Sequence, residues 1–375
     1  MEPLRLRSLD ARVFRAPLDR PIRASFGAMT TRPMVLIRAE GEDGTVGWGE
    51  SWCNFPTVGA EHRARLIDSM LAPLLVGRSH ADPAAAYAAM EAATRVLAVQ
   101  AGEPGPLAQA VAGVDIALWD LWARRAGRPL WSLLGGRSGR VPVYASGLGP
   151  DAAVAIEQAK RIDGARAFKL KIGFGRARDL ENLTALRRAL DPAAELMVDA
   201  NQAWAADEAQ AMATTLGNYG LRWLEEPIIA DAPAADWAAV AAASPVPLAG
   251  GENLRGRASF DAAIAGGALA VLQPDMAKWG GFSGCLPVAR AALAAGRRYC
   301  PHYLGGGIGL MASAHLLAAA GGDGLLEYDA QDNALREGVA RDFPRVAGGV
   351  FALPDRPGLG ITPDLDGLER FRVPH

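Results

Sequence analysis

The chain predicts an α/β fold, a closed (β/α) barrel behind a smaller α+β domain. Two observations carry this. Between Phe168 and Asp329, short apolar, strand-like runs recur, and each ends in a residue able to do chemistry. These are FKLKIG with Lys169 and Lys171, LMVDAN with Asp199, WLEEP with Glu225 and Glu226, PLAGGEN with Glu252, VLQPD with Asp275, YCPH with His302 and LLEYD with Glu327. From Lys171 to Glu327 these residues follow one another at intervals of 23 to 28, the length that a strand, a helix and two loops require. The segments between them, such as 207–216 and 286–295, are Ala-rich and about as long as a helix. With VPVYAS (141–146) at the front the strand count reaches eight. Eight parallel strands alternating with helices close into a TIM-type barrel whose C-terminal strand ends converge on one mouth. An open doubly wound sheet would instead gather ligands at a switch point, not from six successive strands.

In chain order, residues 4–14 and 34–39 alternate as antiparallel strands do, and EGEDGTVGWGES (40–51) places an Asp43-Gly44 hairpin turn before a third strand. From 61 to 125 the pattern is helical and Ala-rich, and Gly127 and Pro129 break it. Residues 1–130 are therefore read as the α+β domain and 131–340 as the barrel. The stretch 341–375 contains GGVFALPDRPGLGITPD, too irregular for a ninth βα unit, and is read as a tail returning to the first domain. Two segments of the first domain, 20–33 and 51–60, read as loop-like lids over the mouth. Their Arg23, Phe26, Trp52 and Phe55 are candidates to touch a substrate.

Half of the 375 residues are hydrophobic, enough to core a barrel and a second domain. A net charge of −2 without a basic block argues against a nucleic-acid surface. Cys53, Cys285 and Cys300 lack CxxC spacing, which fits a reducing compartment. The N-terminal MEPLRLRSLDARVF has no apolar signal core, and no apolar run is long enough to span a bilayer. A cytoplasmic protein without membrane or nucleic-acid partners is expected.

Asp199, Glu225 and Glu252 end three consecutive strands, so a closed barrel sets three carboxylates side by side. Like charges at that density need protons or a cation among them. An all-oxygen set suits a hard divalent ion, Mg²⁺ first. With five histidines and no HxH or HExxH, a zinc site is poorly supported. Glu226 is expected on the opposite side of its strand, beside the ligand and paired with a lysine; Asn201, two beyond Asp199, is expected to share that residue's face. Lys169 and Lys171 also share a face, and a lysine depressed by a neighbouring cation can act as a base. Asp275 and His302 are placed to touch, the carboxylate fixing the imidazole tautomer. Glu327, in a crowded acidic site, is expected to stay protonated and donate a hydrogen bond. Bases on both sides of a metal-held carboxylate suit abstraction of its α-proton, giving an enediolate that the ion and Glu327 would hold.

These motifs resemble the enolase superfamily and, within it, the mandelate racemase/muconate lactonizing enzyme family. The resemblance spans nearly the whole chain: a capping α+β domain with GTVGWGE, the barrel and the returning tail. It places the family's KxK motif on Lys169 and Lys171, with Lys171 the base. Its metal ligands fall on Asp199 (DAN), Glu225 (first of EEP) and Glu252 (GEN), its dyad on His302 and Asp275, and its electrophilic glutamate on Glu327 (LEYD). The strings KLKIGFG, LQPD, GGFS and PGLGI are most similar to the family's sugar-acid enzymes. The resemblance implies a small carboxylate substrate, dehydration of an acid sugar first and racemisation or cycloisomerisation next, and a homo-oligomer, dimeric or octameric. Lys278 sits near where another branch keeps a catalytic lysine, so a Lys171–Lys278 epimerase of N-acyl amino acids or dipeptides is the rival.

Overall fold

The computed structural model describes residues 2–24, 27–149 and 151–375. The chain begins with β1 (Leu4–Ala24), β2 (Gly27–Gly41), β3 (Val46–Ser51) and the short β4 (Ser79–His80), whose pairings are all antiparallel. Alternation along β2 sorts its side chains into two cores. Val35, Ile37 and Ala39 pack with the helices of this domain, whereas Met34 and Leu36 join the barrel's core. Helix Pro104–Arg125 lies directly on β3 because Gly47 and Gly49 permit it: a Cβ at either would stand 2.2 Å from a carbonyl oxygen of that helix.

Of the segment 20–33, expected as a loop, residues 20–24 and 27–33 instead extend β1 and β2 into a two-stranded arm paired out to Ala24 and Gly27. Prolines are tolerated in it because an arm of two strands has free edges where a missing N–H costs nothing. Of the two register shifts between β1 and β2, the one at the arm lies between Pro17 and Ile22.

The barrel strands are β5 (Arg140–Leu148), β6 (Ala167–Lys171), β7 (Glu195–Asp199), β8 (Leu224–Glu225), β9 (Leu248–Gly250), β10 (Leu269–Leu272), β11 (Arg298–Tyr299) and β12 (Leu326–Asp329). Neighbours from β5 to β11 pair in parallel in chain order, and β12 returns to pair with β5. A buried layer of Tyr144, Ala167, Met197, Trp223, Ala249, Val271, Cys300 and Leu325 takes one residue from each strand or its edge and forms the floor of the barrel. Two residues further along each strand, alternation brings up Ser146, Lys169, Asp199, Glu225, Gly251, Gln273, His302 and Glu327. An apolar tier thus supports a polar one.

The tail does more than return to the first domain. β13 (Val346–Ala347) and β14 (Val350–Ala352) form a hairpin, and β14 pairs antiparallel with the start of β5. Only then does the chain cross over, ending in β15 (Arg372–Val373), which pairs with β1. Among the described residues, no helix is long and apolar enough to cross a membrane.

Candidate active site

The strand registers set the acidic and basic groups side by side. Lys171 pairs in register with Asp199, and Asp199 with Glu225. Lys169 is fully buried; its Nζ lies 2.6 Å from Glu225, 2.8 Å from Glu327 and 3.8 Å from Asp199. Lys171 keeps 20% of its side chain exposed and reaches Asp199 at 2.5 Å. The backbone turns left-handed at Asn201 (φ 45°), whose own N–H donates to Asp199 at 2.8 Å. Glu225 also accepts from Gln273 (2.6 Å) and from the Trp223 indole (3.2 Å). Glu252 meets His302 Nε2 at 2.5 Å and Lys278 at 3.2 Å. On its other side His302 Nδ1 lies 2.8 Å from Asp275, whose second oxygen accepts the N–H groups of Ala277 and Lys278.

The balance of charge tests whether this pocket suits a metal ion. Six buried carboxylates (Asp199, Glu225, Glu226, Glu252, Asp275 and Glu327) face three ammonium groups (Lys169, Lys171 and Lys278) and one imidazole. Even with His302 protonated, two negative charges stay unbalanced, and a divalent cation would close that gap. Burial and nearby carboxylates push Glu225 up to about 7 and Glu226 up to about 8, the signature of an acidic cluster short of positive charge. Glu252 lies well below its ordinary range: burial opposes ionisation, but His302 and Lys278 outweigh it. His302 is raised to about 10; burial opposes its charge, and Glu252 and Glu327 prevail. Among the described residues, no three carboxylate, imidazole or thiol groups enclose a common point; Asp199, Glu225 and Glu252 are each drawn to a neighbouring lysine or to His302 instead. The oxygen-only donor set of Asp199, Glu225 and Glu252 fits Mg²⁺.

The comparisons with known proteins agree along the whole chain. The model of the "Mandelate racemase / muconate lactonizing enzyme, N-terminal domain" matches residues 8–135, and that of the "Enolase C-terminal domain-like" family matches 152–367. The chain belongs to the mandelate racemase/muconate lactonizing enzyme family of the enolase superfamily. It is 34% identical to D-galactarolactone cycloisomerase of Agrobacterium fabrum, over 95% of this chain and 96% of that one. A mandelate racemase/muconate lactonizing enzyme structure from Bordetella bronchiseptica is 55% identical, with a TM-score of 0.92 over 98% of this chain and 99% of that one. An enolase from Bradyrhizobium, complexed with magnesium and mandelic acid, is 31% identical, with a TM-score of 0.88 over 100% of this chain and 99% of that one.

In this family member the 51–60 segment rests on the barrel's loops. The Trp52 N–H donates to Ala277 O at 3.2 Å, the Asn54 side chain donates to Leu304 O at 2.8 Å, and Lys278 Nζ sits 4.9 Å from the centre of the Trp52 ring. Phe55 stacks obliquely on Trp52, their rings 6.5 Å apart, and lies against the hairpin tip at Gly27. Phe26 and the Arg23 side chain lie outside the described residues.

Three expectations are corrected. Neither lysine of the pair is depressed: burial opposes their charge, but Glu225 and Glu327 around Lys169, and Asp199 beside Lys171, raise both. Glu226 does not turn away across its strand. The strand ends at Glu225, Glu226 takes a left-handed conformation (φ 38°), and the simple alternation stops. Its carboxylate stays by the mouth, bonded to the Asn253 amide at 3.0 Å, and that amide also reaches Glu252 at 3.1 Å. Glu327 is not held protonated. Lys169, the Ser146 hydroxyl at 2.5 Å and the Tyr303 N–H at 3.0 Å all donate to it. Although burial opposes charge, Lys169 and His302 draw its pKa down to about 2. Ser146, Gln273, Asn253 and Tyr303 went unnoticed in the sequence. Period-two counting inward along β5 and β10 would have found the first two. Asn253 depends on the backbone at Gly251 (φ 129°), which no spacing reveals.

Proposed function

We propose that the chain is a Mg²⁺-dependent enzyme that removes the proton α to a carboxylate and, as its principal reaction, dehydrates an acid sugar. The observation that carries this reading is the placing of two candidate bases, Lys171 and the His302–Asp275 pair, on opposite halves of the ring with the carboxylates between them. Mg²⁺ held by Asp199, Glu225 and Glu252 would supply the positive charge that makes a carboxylate's α-proton removable near neutral pH. The Bradyrhizobium relative, complexed with magnesium and a 2-hydroxy carboxylate, supports this assignment of ion and substrate class.

With Asp199 committed to the ion, Lys171, the exposed member of the lysine pair, would lose the partner that keeps it protonated, and its neutral amine then takes the proton from the α-carbon onto Nζ. Lys169 cannot leave its buried cradle and donates from there to a carboxylate oxygen of the substrate, with Glu327 as the anchor that aims it. His302 gives the Nε2 proton to the departing β-hydroxyl, which leaves as water, and Asp275 holds the ring for that transfer. The enol left behind takes up a proton and becomes a 2-keto acid. Cycloisomerisation is the second reading, favoured by the similarity to the Agrobacterium enzyme. It shares the first step, with an intramolecular oxygen as the group exchanged. A homo-oligomer, dimeric or octameric, completes the proposal on the family resemblance alone, and three cysteines without CxxC spacing support a place in the cytoplasm.

Screening acid sugars for dehydration, with NMR of α-deuterium exchange, tests the reading. Lys171→Ala and His302→Asn should each lower turnover on the order of 10³-fold while Mg²⁺ still binds; full activity in either variant refutes the assigned base. Asp275→Asn should be severely impaired, since Asp275 is committed to His302. Tolerance of that change would favour the Lys171–Lys278 rival.

A further inference from the structure

The GWGE motif of β3 ends in Glu50, which the proposed chemistry does not use. Glu50 is 2% exposed, and no ammonium, guanidinium or imidazole group is in ion-pair reach of it among the described residues. Its partners are all neutral donors from one segment of the barrel. Oε1 accepts from the Tyr303 hydroxyl at 2.8 Å and the Gly306 N–H at 2.5 Å, and Oε2 accepts from the Gly309 N–H at 2.9 Å. The segment YLGGGIG is shaped around this carboxylate. A Cβ at Gly305 or Gly306 would lie 3.0 or 2.8 Å from Glu50 Oε1, and one at Gly309 would strike the Tyr303 ring at 2.4 Å. Burying an anion against dipoles alone is an expensive way to join two domains.

The other end of this segment is the catalytic mouth. His302 immediately precedes Tyr303, and the Tyr303 backbone N–H donates to Glu327 at 3.0 Å. Tyr303 therefore has its hydroxyl on a carboxylate of the first domain and its amide on a carboxylate of the mouth. Lys171, by contrast, stands on β6 and has no part in this chain of contacts.

We infer that Glu50 is a positioning residue: through Tyr303 and the glycine cradle it fixes the 302–309 segment, and so sets His302, the residue that opens it, without touching the substrate. This rests on the proposed function for the role of His302. It assigns a task to a first-domain motif far from the reacting atoms, and it predicts a one-sided defect.

The test compares Glu50→Ala, Glu50→Gln and Tyr303→Phe with Asp115→Ala, which loosens a different contact between the same domains. Aldonic and aldaric acids of both configurations at C2 serve as probes in D₂O with Mg²⁺, so that exchange from the Lys171 face and from the His302 face is read separately. Glu50→Ala should lower exchange from the His302 face on the order of 100-fold, the cost of misplacing a catalytic group by about 1 Å. Exchange from the Lys171 face and KM should stay within about 3-fold of wild type on the same argument. Glu50→Gln, which keeps one acceptor oxygen, and Tyr303→Phe, which removes one of three donors, should fall between. Equal loss from both faces, no loss from either, or the same pattern in Asp115→Ala overturns the inference. A second readout needs no substrate: the downfield ¹H resonance of the His302–Asp275 hydrogen bond in the Mg²⁺-loaded protein. It should shift or vanish in Glu50→Ala and persist in Asp115→Ala, and its persistence in Glu50→Ala overturns the inference. If wild type exchanges no probe, the proposed function fails, and this resonance alone decides the role of Glu50.

Discussion

Two groups of buried carboxylates in this molecule are held in opposite ways. In the mouth, Asp199, Glu225 and Glu252 face lysine ammonium groups and an imidazole, all carried on side chains and not on the backbone. At the seam between the domains, Glu50, Asp115 and Asp120 accept mostly from the backbone. Asp115 accepts the Ser283 N–H at 3.0 Å and its hydroxyl at 2.6 Å, at the start of helix Gly281–Ala294. Asp120 accepts the N–H groups of Trp48 at 2.8 Å and Leu359 at 2.6 Å, with Arg124 beside it. A carboxylate paired with a mobile cation can trade that partner for a metal ion. One fixed by peptide N–H groups cannot trade and instead sets where segments lie. Chemistry uses the first kind, and the second kind aligns the parts that do it.

The contrast can be broken from either side. The largest effect is expected in the mouth. Glu225→Gln removes a charge from the acidic cluster and leaves Lys169 with one fewer counter-ion, so Mg²⁺ affinity by calorimetry should fall at least about 100-fold. Unchanged affinity would remove Glu225 from the ligand set. At the seam, Asp120→Ala strands two backbone N–H groups and removes the partner of the half-buried Arg124 guanidinium. It should cost about 3 kcal/mol in urea unfolding while leaving Mg²⁺ affinity untouched; a loss of affinity would mean that the two groups are not independent.

The smallest effect is a slope with pH. Burial pushes Asp115 up to about 7, from an ordinary value of 3.8, despite its bonds to Ser283. The folded state then binds a proton that the unfolded state has released, so this contribution is fully present below the ordinary value and declines as pH rises toward 7. Asp115→Asn carries no such charge. Its melting temperature relative to wild type should therefore rise between pH 5 and pH 7 and level off above that. A difference flat across that range would show that Asp115 is ionised throughout.

The residues of the mouth were legible early because a barrel turns a linear period into a ring. An interval near 25 residues places successive strand ends side by side, and period-two alternation decides which of them point inward. Lys169, Lys171, Asp199, Glu225, Glu252, Asp275, His302 and Glu327 are all found together on that basis. The reading failed where alternation stops: at Glu226, turned left-handed just past its strand, and at Asn253, beyond Gly251. It also failed in the segment 20–33, read as loop-like, where residues 20–24 and 27–33 pair as a two-stranded arm.

By itself the sequence determined the barrel, its order of strands and the inventory of acids and bases facing one another, since these follow from local periodicity. Only the tertiary structure decided what each of them touches. That Glu327 is surrounded by donors, that Lys278 lies between Glu252 and Trp52, and that Glu50 enters a cradle formed some 253 residues later are facts of long-range packing. Distance along the chain carries no record of such contacts, because they depend on how segments far apart in sequence pack together.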